Sequence, residues 1–437
     1  MVAQSASTLR ETIVDAKAAG LQLAALSPAH REALLQDLAN AFADPATQTA
    51  VMAANRVDVD AAVAAQKRGE LASALVNRLS IDSKKIATLV DGLRQLSRAE
   101  DVVGKQLTHR SLDDGLVLVR VTCPLGVLGV VFEARPDALV QITGLALKSG
   151  NAVVLKGGKE ALNTNRALSV VVRKVLETSN MDPRAVVLIE DRAGVAELLK
   201  QSDLVDLMIA RGSSDFVHYV RANTSIPVMA HADGICHVYL HSAADPGKAA
   251  RILVDSKTTY PAACNTVETL LWDSSAADAA DAAINALIAA KVQVRGCGET
   301  RARHPHVVAA SDVDWDTEYG ELIISVKQVV GLTEALAHIA RHGSKHTEAI
   351  VTEDADAARR FLAEVDAACC FHNASTRFAD GYRFGMGAEV GISTDKLHAR
   401  GPVGIEGLVT YRWLLSGDGH VTADYGEGKK PYLHRDL

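Results

Sequence analysis

The sequence predicts an α/β protein with parallel sheets in two large domains, and three observations carry that expectation. The chain has 437 residues, more than one hydrophobic core comfortably holds. Hydrophobic residues make up 48% but aromatics only 4%, so the apolar fraction rests on Ala, Val, Leu and Ile, the residues of helices and buried parallel strands. From Gly126 onward, short β-branched runs alternate with helical stretches, the pattern of right-handed crossovers.

The first hundred residues read as helices. Ser27-Pro28 is an N-cap followed by proline at the first helical position, and Leu34, Leu35, Leu38 and Phe42 then recur at helical spacing. After Gly104 come two strand-like runs, 115–121 and 126–132, separated by Cys123-Pro124. A strand at 152–156, the Gly157-Gly158 turn, a helix from Ala167 to Leu176 and a strand at 185–189 form one βαβ unit. A helix at 195–200, a strand at 205–210, a helix opened by Gly212-Ser213-Ser214 and a strand at 226–229 continue the alternation, which begins again near His241. There the reading is a helix from Asp245, a strand at 267–272, an Ala-rich helix to Ala290, and strands at 322–330 and 348–352. Residues 373–402 are Gly-, Ser-, Thr- and Arg-rich with little periodicity, too long for a passive connector and therefore a place to look for function.

Lys+Arg 46 against Asp+Glu 53 leaves a formal charge of −7, which disfavours a basic nucleic-acid binder, and the ordinary composition disfavours disorder. No secretory signal is visible over Met1–Ala16, and no run approaches about 18 uncharged apolar residues, so a cytoplasmic protein without a membrane span is expected. The six cysteines are then expected to be free thiols.

The familiar cofactor fingerprints are absent. Gly385-Met-Gly387 and Gly296-Cys-Gly298 lack the third glycine of G-x-G-x-x-G, and Gly158-Lys159 is followed by Glu160 where a Walker motif needs Ser or Thr. A nucleotide would instead use Lys156 at a strand end and the Gly212-Ser213 turn at a helix start; both also read as an ordinary lysine and an ordinary turn. No metal is expected: His338, His342 and His346 are spaced by four, but Gly343-Ser344 breaks the helix that would align them, and His231, Cys236 and His237 lack a C-x-x-C partner. Cys264 stands apart from the other thiols because it lies in a small-residue loop, Tyr260-Pro-Ala-Ala-Cys-Asn265, leading into a strand. A substrate carbonyl can approach there, and packing remains the competing account.

With these residues on the page, the chain resembles the γ-glutamyl phosphate reductase (glutamate-5-semialdehyde dehydrogenase) family of the aldehyde dehydrogenase superfamily. The resemblance is carried by 124–136 (PLGVLGVVFEARP), 147–161 (LKSGNAVVLKGGKEA), 263–269 (ACNTVET), 373–378 (NASTRF), 387–394 (GAEVGIST) and 398–402 (HARGP), spread over nearly the whole chain. It implies an NADPH-dependent reductase that converts L-glutamyl 5-phosphate to L-glutamate 5-semialdehyde through a cysteine thioester, the second step of proline biosynthesis. Cys264 matches the superfamily nucleophile, and Asn265 is a further catalytic candidate beside it. The E-L-G-G segment that activates water in oxidising relatives becomes His231-Ala-Asp-Gly234, without the glutamate, as suits a reductase. Cofactor contacts carry over to Lys156, Gly212 and Ser213, with Glu318 as a ribose carboxylate. Lys159 takes the place of a carboxylate in NAD-preferring relatives and would attract the 2′-phosphate of NADPH. Arg135 and Arg377 are candidates for substrate anions, Ser375 and Thr376 for neutral donors, and Glu389 for the substrate ammonium; each also reads as a structural brace.

The resemblance further implies the aldehyde dehydrogenase-like fold: two Rossmann-like domains, with 1–104 and 124–241 binding NADPH and 242–405 carrying catalysis. An oligomerisation hairpin and segment at 105–123 and 406–437 would make a homodimer or homotetramer. Association with the glutamate 5-kinase that supplies the acyl phosphate is a further expectation. The competing classes are an aldehyde dehydrogenase with another substrate and a non-catalytic scaffold.

Overall fold

The computed structural model describes residues 8–437 apart from Ala72, Ala134 and Arg192. Met1–Ser7, part of the segment read for a secretory signal, lies outside the described residues.

The first parallel sheet has the order Val186–Leu188, Ala152–Lys156, Val127–Phe132, Leu207–Arg211, Val228–Met229. From Val127–Phe132 the chain winds outward in one direction, then returns to pair Leu207–Arg211 on the other side. A crevice therefore opens between these two strands at their C-terminal ends, where open α/β sheets bind ligands. Helices cover both faces. Pro28–Ala43, Ser83–Arg98, Asp137–Lys148 and Leu162–Thr178 close one face, and Leu9–Ala24, Ala193–Leu198 and Ser214–Ala222 the other. Pro28–Ala43 starts as its sequence predicts: the Ser27 side chain accepts from the His30 amide, and Leu34, Leu35, Leu38 and Phe42 are all buried.

The second sheet is also parallel and has seven strands, in the order Val308–Ala309, Gln293–Gly296, Ile323–Val329, Val267–Asp273, Cys236–Leu240, Thr347–Val351, Cys369–His372. The strand Cys236–Leu240 lies inside this sheet, between Val267–Asp273 and Thr347–Val351. His237 disguises the strand. In the fully buried interior its backbone N–H and Nδ1 meet the Glu348 carboxylate of the neighbouring strand at 2.8 and 3.0 Å, so a polar residue is satisfied where the pattern calls for an apolar one. Val390, Val403 and Leu408, far along the chain, pack into the first core.

A third sheet is antiparallel, in the order Val409–Ser416, Leu116–Pro124, Gln106–Asp113, Arg435–Asp436. It joins the hairpin to the C-terminal segment and leaves Tyr411 and Trp413 about half exposed, beneath the Arg120 guanidinium.

Candidate active site

The strand that follows Cys264 begins at Val267, and the one that follows Gly234 begins at Cys236. Both loops therefore stand at the N-terminal edge of the second sheet. The Cys264 loop is closed by the Tyr260 carbonyl, which accepts from the Ala263 N–H at 3.1 Å and from the Thr266 hydroxyl at 2.8 Å. Asn265 braces it from outside: its amide donates to the Ala379 carbonyl at 2.8 Å, and its buried Oδ1 has no partner. Cys264 stays partly exposed. Burial pushes the Cys123, Cys236 and Cys370 thiols up, and that of Cys369 to about 11, which makes them poor nucleophiles. Cys297 lies elsewhere, 3.3 Å from the Thr300 hydroxyl.

Gly234, which sequence reasoning did not single out, packs against Cys264. A β-carbon there would stand 2.6 Å from the Cys264 Cα and 2.1 Å from its carbonyl oxygen. Only glycine permits this approach. The Gly234 N–H donates to the Glu318 carboxylate at 3.0 Å, which brings Glu318 to the back of the nucleophile loop. The Glu318 segment is supported by a buried ion pair, Lys257 with Glu268 at 2.6 Å, since Glu268 also accepts from the Gly320 N–H at 3.4 Å. Burial pushes the Glu268 carboxyl up to about 7 despite its lysine partner.

Arg377 is the most unusual cation in the site. It is buried, its Nε has no hydrogen-bond partner, and the Tyr260 ring lies 5.9 Å from its guanidinium carbon. Burial and the neighbouring Arg383 press its pKa down, and the Cys264 thiolate opposes that effect. A buried guanidinium with an orphan N–H is short of an acceptor, the condition under which a cation recruits an anionic partner. Thr376 places a buried, unpartnered hydroxyl next to it. The Ser375 hydroxyl is already engaged, lying 3.0 Å from Ser256 and accepting from the Arg377 N–H.

Arg135 lines a cleft of about 470 Å³ together with Arg211, Asp137, Asp380, Tyr382 and Glu389. Arg211, also missed from sequence, is disfavoured as a cation by burial and by Arg135 and is supported by Glu389. The available signal was its position, at the end of a buried strand and directly before Gly212-Ser213. Glu389 accepts from the Gly381 N–H at 2.8 Å, and burial pushes its carboxyl up.

The residues expected to bind a cofactor lie along the first sheet. Lys156 ends its strand, is 8% exposed, and donates to the Gly157 carbonyl. Burial lowers its pKa while Glu160, Asp191 and Glu133 oppose that. Gly212 and Ser213 stand at the crevice, at the N-terminus of Ser214–Ala222, where the Ser213 N–H donates to the Glu133 carboxylate at 3.2 Å. A helix N-terminal amide is the kind of donor that holds anions, and here the Glu133 carboxylate occupies it. Lys159 lies exposed beyond Lys156. Asp233 is held by the Ser214 hydroxyl, which leaves Cys264 without a free carboxylate from that loop. Of the three regularly spaced histidines, His338 and His342 lie with ring centroids 4.5 Å apart, whereas the helix ends at His342 and His346 belongs to the next strand's approach.

No family model matches the chain. A γ-glutamyl phosphate reductase from Synechococcus sp. (strain JA-2-3B'a(2-13)) is 52% identical over 424 residues, 96% of this chain and 93% of its own length. The crystal structure of the γ-glutamyl phosphate reductase from Thermotoga maritima superposes with a TM-score of 0.91 at 36% identity, covering 95% of this chain and all of the other. At 16% identity an acetylating aldehyde dehydrogenase from Geobacillus thermoglucosidasius shares the fold, with a TM-score of 0.65 over 94% of this chain and 97% of its own.

Proposed function

The chain belongs to the γ-glutamyl phosphate reductase family, and from that membership we propose how its residues perform the family's reaction. It is an oxidoreductase of proline biosynthesis with an aldehyde dehydrogenase-like fold. It reduces L-glutamyl 5-phosphate to L-glutamate 5-semialdehyde with release of phosphate, using a nicotinamide cofactor.

The observation that carries the residue assignment is the partly exposed Cys264, seated on Gly234 within the field of a buried Arg377. The Cys264 thiolate attacks the acyl carbon, the C–O bond to phosphate breaks, and phosphate leaves behind a thioester on sulfur. Arg377 and the Thr376 hydroxyl hold the anionic end of the substrate. Arg135 with Arg211 offers a second anion site and Glu389 an acceptor for the ammonium. The Cys264 backbone N–H faces the developing oxyanion, and Asn265 fixes the loop that presents it. The bound nicotinamide supplies the hydride that reduces the thioester. Collapse of the resulting thiohemiacetal returns the Cys264 thiolate and frees the aldehyde. Since Asp233 is tied to Ser214, no loop carboxylate is left to activate water against the thioester.

NADPH is the cofactor we assign, held by Lys156, Lys159, Gly212, Ser213 and Glu318, with the exposed Lys159 meeting the 2′-phosphate. Homodimers or homotetramers form through the antiparallel sheet, whose half-exposed Tyr411 and Trp413 need cover. No described helix is long and apolar enough to cross a membrane, and we place the enzyme in the cytoplasm, where contact with glutamate 5-kinase would shield the labile acyl phosphate. The test is phosphate-dependent reduction of NADP⁺ by glutamate semialdehyde. Cys264→Ala should lower kcat by about four orders of magnitude or more; retained turnover would refute the covalent route.

A further inference from the structure

Two histidines that chain position separates meet at the nucleophile. A ring nitrogen of His231, a ring nitrogen of His346 and the Cys264 sulfur all lie within 4.8 Å of one another. The imidazoles pack edge to face, with ring centroids 5.3 Å apart. His231 Nδ1 stands 3.2 Å from the Ile392 carbonyl, and since a carbonyl only accepts, that nitrogen carries the proton and Nε2 keeps the lone pair. His346 Nδ1 is engaged by the Thr347 hydroxyl at 2.8 Å, while Nε2 of this fully buried ring has no hydrogen-bond partner. An orphaned nitrogen in the interior is costly unless a ligand or ion meets it.

Each histidine thus has one nitrogen fixed by a protein oxygen and the other left over, the arrangement that metal-ligating histidines use to set tautomer and orientation. Zn–N and Zn–S bonds of about 2.1 and 2.3 Å in a tetrahedron would set the ligand atoms roughly 3.5 Å apart, so the three side chains need draw together by only about 1 Å.

We propose that His231, Cys264 and His346 form an inhibitory site for a borderline-soft divalent cation, zinc above all, with a fourth position left to water. The site rests on Cys264 being the reactive thiol. A sulfur bound to zinc has its nucleophilic lone pair committed, so the metal stops the reaction at its first step and leaves the fold unchanged. Carboxylate-preferring Mg²⁺ and Ca²⁺ would not bind, because the cluster offers two nitrogens, a sulfur and no oxygen ligand.

The test uses the full-length enzyme, with alkylation of Cys264 by iodoacetamide followed on its peptide by mass spectrometry. Micromolar ZnCl₂ should slow alkylation more than tenfold, EDTA should restore it, and MgCl₂ should have no effect. His346→Ala and His231→Ala should each need at least about tenfold more zinc, since even loss of an outer-shell partner costs that much affinity. Titration with Co²⁺ provides a second readout that needs no histidine variant to fold: a thiolate-to-metal charge-transfer band in the wild type that vanishes in Cys264→Ala. Unchanged alkylation under zinc, equal zinc sensitivity in all three proteins, or a cobalt band that survives Cys264→Ala would each overturn the proposal. Because neither readout involves substrate, such a failure leaves the reductase assignment untouched.

Discussion

The two parallel sheets meet the active site by opposite ends and bury opposite kinds of groups. The first presents the C-terminal ends of its strands, with Lys156 and Arg211 as their last residues, above a core that is apolar on both faces. The second presents N-terminal ends, before which stand Gly234, Cys264 and His346, and its interior carries ionisable pairs: His237 with Glu348, Lys257 with Glu268. The contrast teaches a division of labour. In the proposed mechanism, cations and amides for phosphates come from strand ends of a sheet held by hydrophobic burial. Cys264, the proposed nucleophile, is carried by loops that a polar interior holds in register, and such networks fail sharply when one member is lost.

The largest break in this contrast should come from Gly234→Ala. The added methyl would displace the Cys264 backbone, and misplacement of a reacting group by about 1 Å costs on the order of a hundredfold in kcat. Cofactor affinity, measured by fluorescence titration, should stay near that of the parent, because the first sheet is untouched. Next comes Arg377→Ala. Loss of a buried charged hydrogen-bond donor, about 1.5 to 3 kcal/mol, should lower kcat/KM for glutamyl phosphate roughly 10- to 100-fold through KM. An equal loss of cofactor affinity would show Arg377 to be structural.

Acid should separate the two sheets thermodynamically. His338 packs on the second sheet, where burial, His237 and Lys327 hold its pKa down to about 2, and its Nδ1 accepts from the Lys327 ammonium at 3.2 Å. Its folded pKa lies below its unfolded one, so its stabilising contribution is complete above the ordinary histidine range and is lost as pH falls. Unfolding should then take up a proton at this site below pH ~6.5, a slope of about 1.4 kcal/mol per pH unit. Denaturant titrations at pH 7 and pH 5 should show that slope, and His338→Gln should flatten it; an unaltered slope would acquit His338. The smallest effect belongs to the first sheet's rim. Lys159 is exposed, so Lys159→Glu should shift the NADPH to NADH ratio of kcat/KM by only about fivefold, as befits a screened charge.

Local chemistry made some of this readable in advance and hid the rest. Ser27-Pro28 and the spacing of Leu34, Leu35, Leu38 and Phe42, Asp245 before Pro246, and the runs at 127–132 and 152–156 carry caps and periodicities that act within a few residues. Cys236–Leu240 and Cys369–His372 were hidden, because both contain a histidine whose partner lies elsewhere in the fold: Glu348 for His237 and the Thr352 carbonyl for His372. In the site, the Cys264 loop could be read from its small residues. Arg211 looked like the end of an apolar strand, and Gly234 like a loop glycine.

The sequence by itself determined the element types, the two parallel sheets and the loop that carries the thiol, since propensity, capping and hydrophobic period are properties of neighbours in the chain. Only the tertiary structure decided that Gly234 would lie under Cys264, that Arg377 would be buried with a free N–H, and that His231 and His346, 115 positions apart, would share the sulfur. These depend on which strand pairs beside which. That ordering follows from the burial of whole sheet faces and leaves no mark on any single stretch of residues.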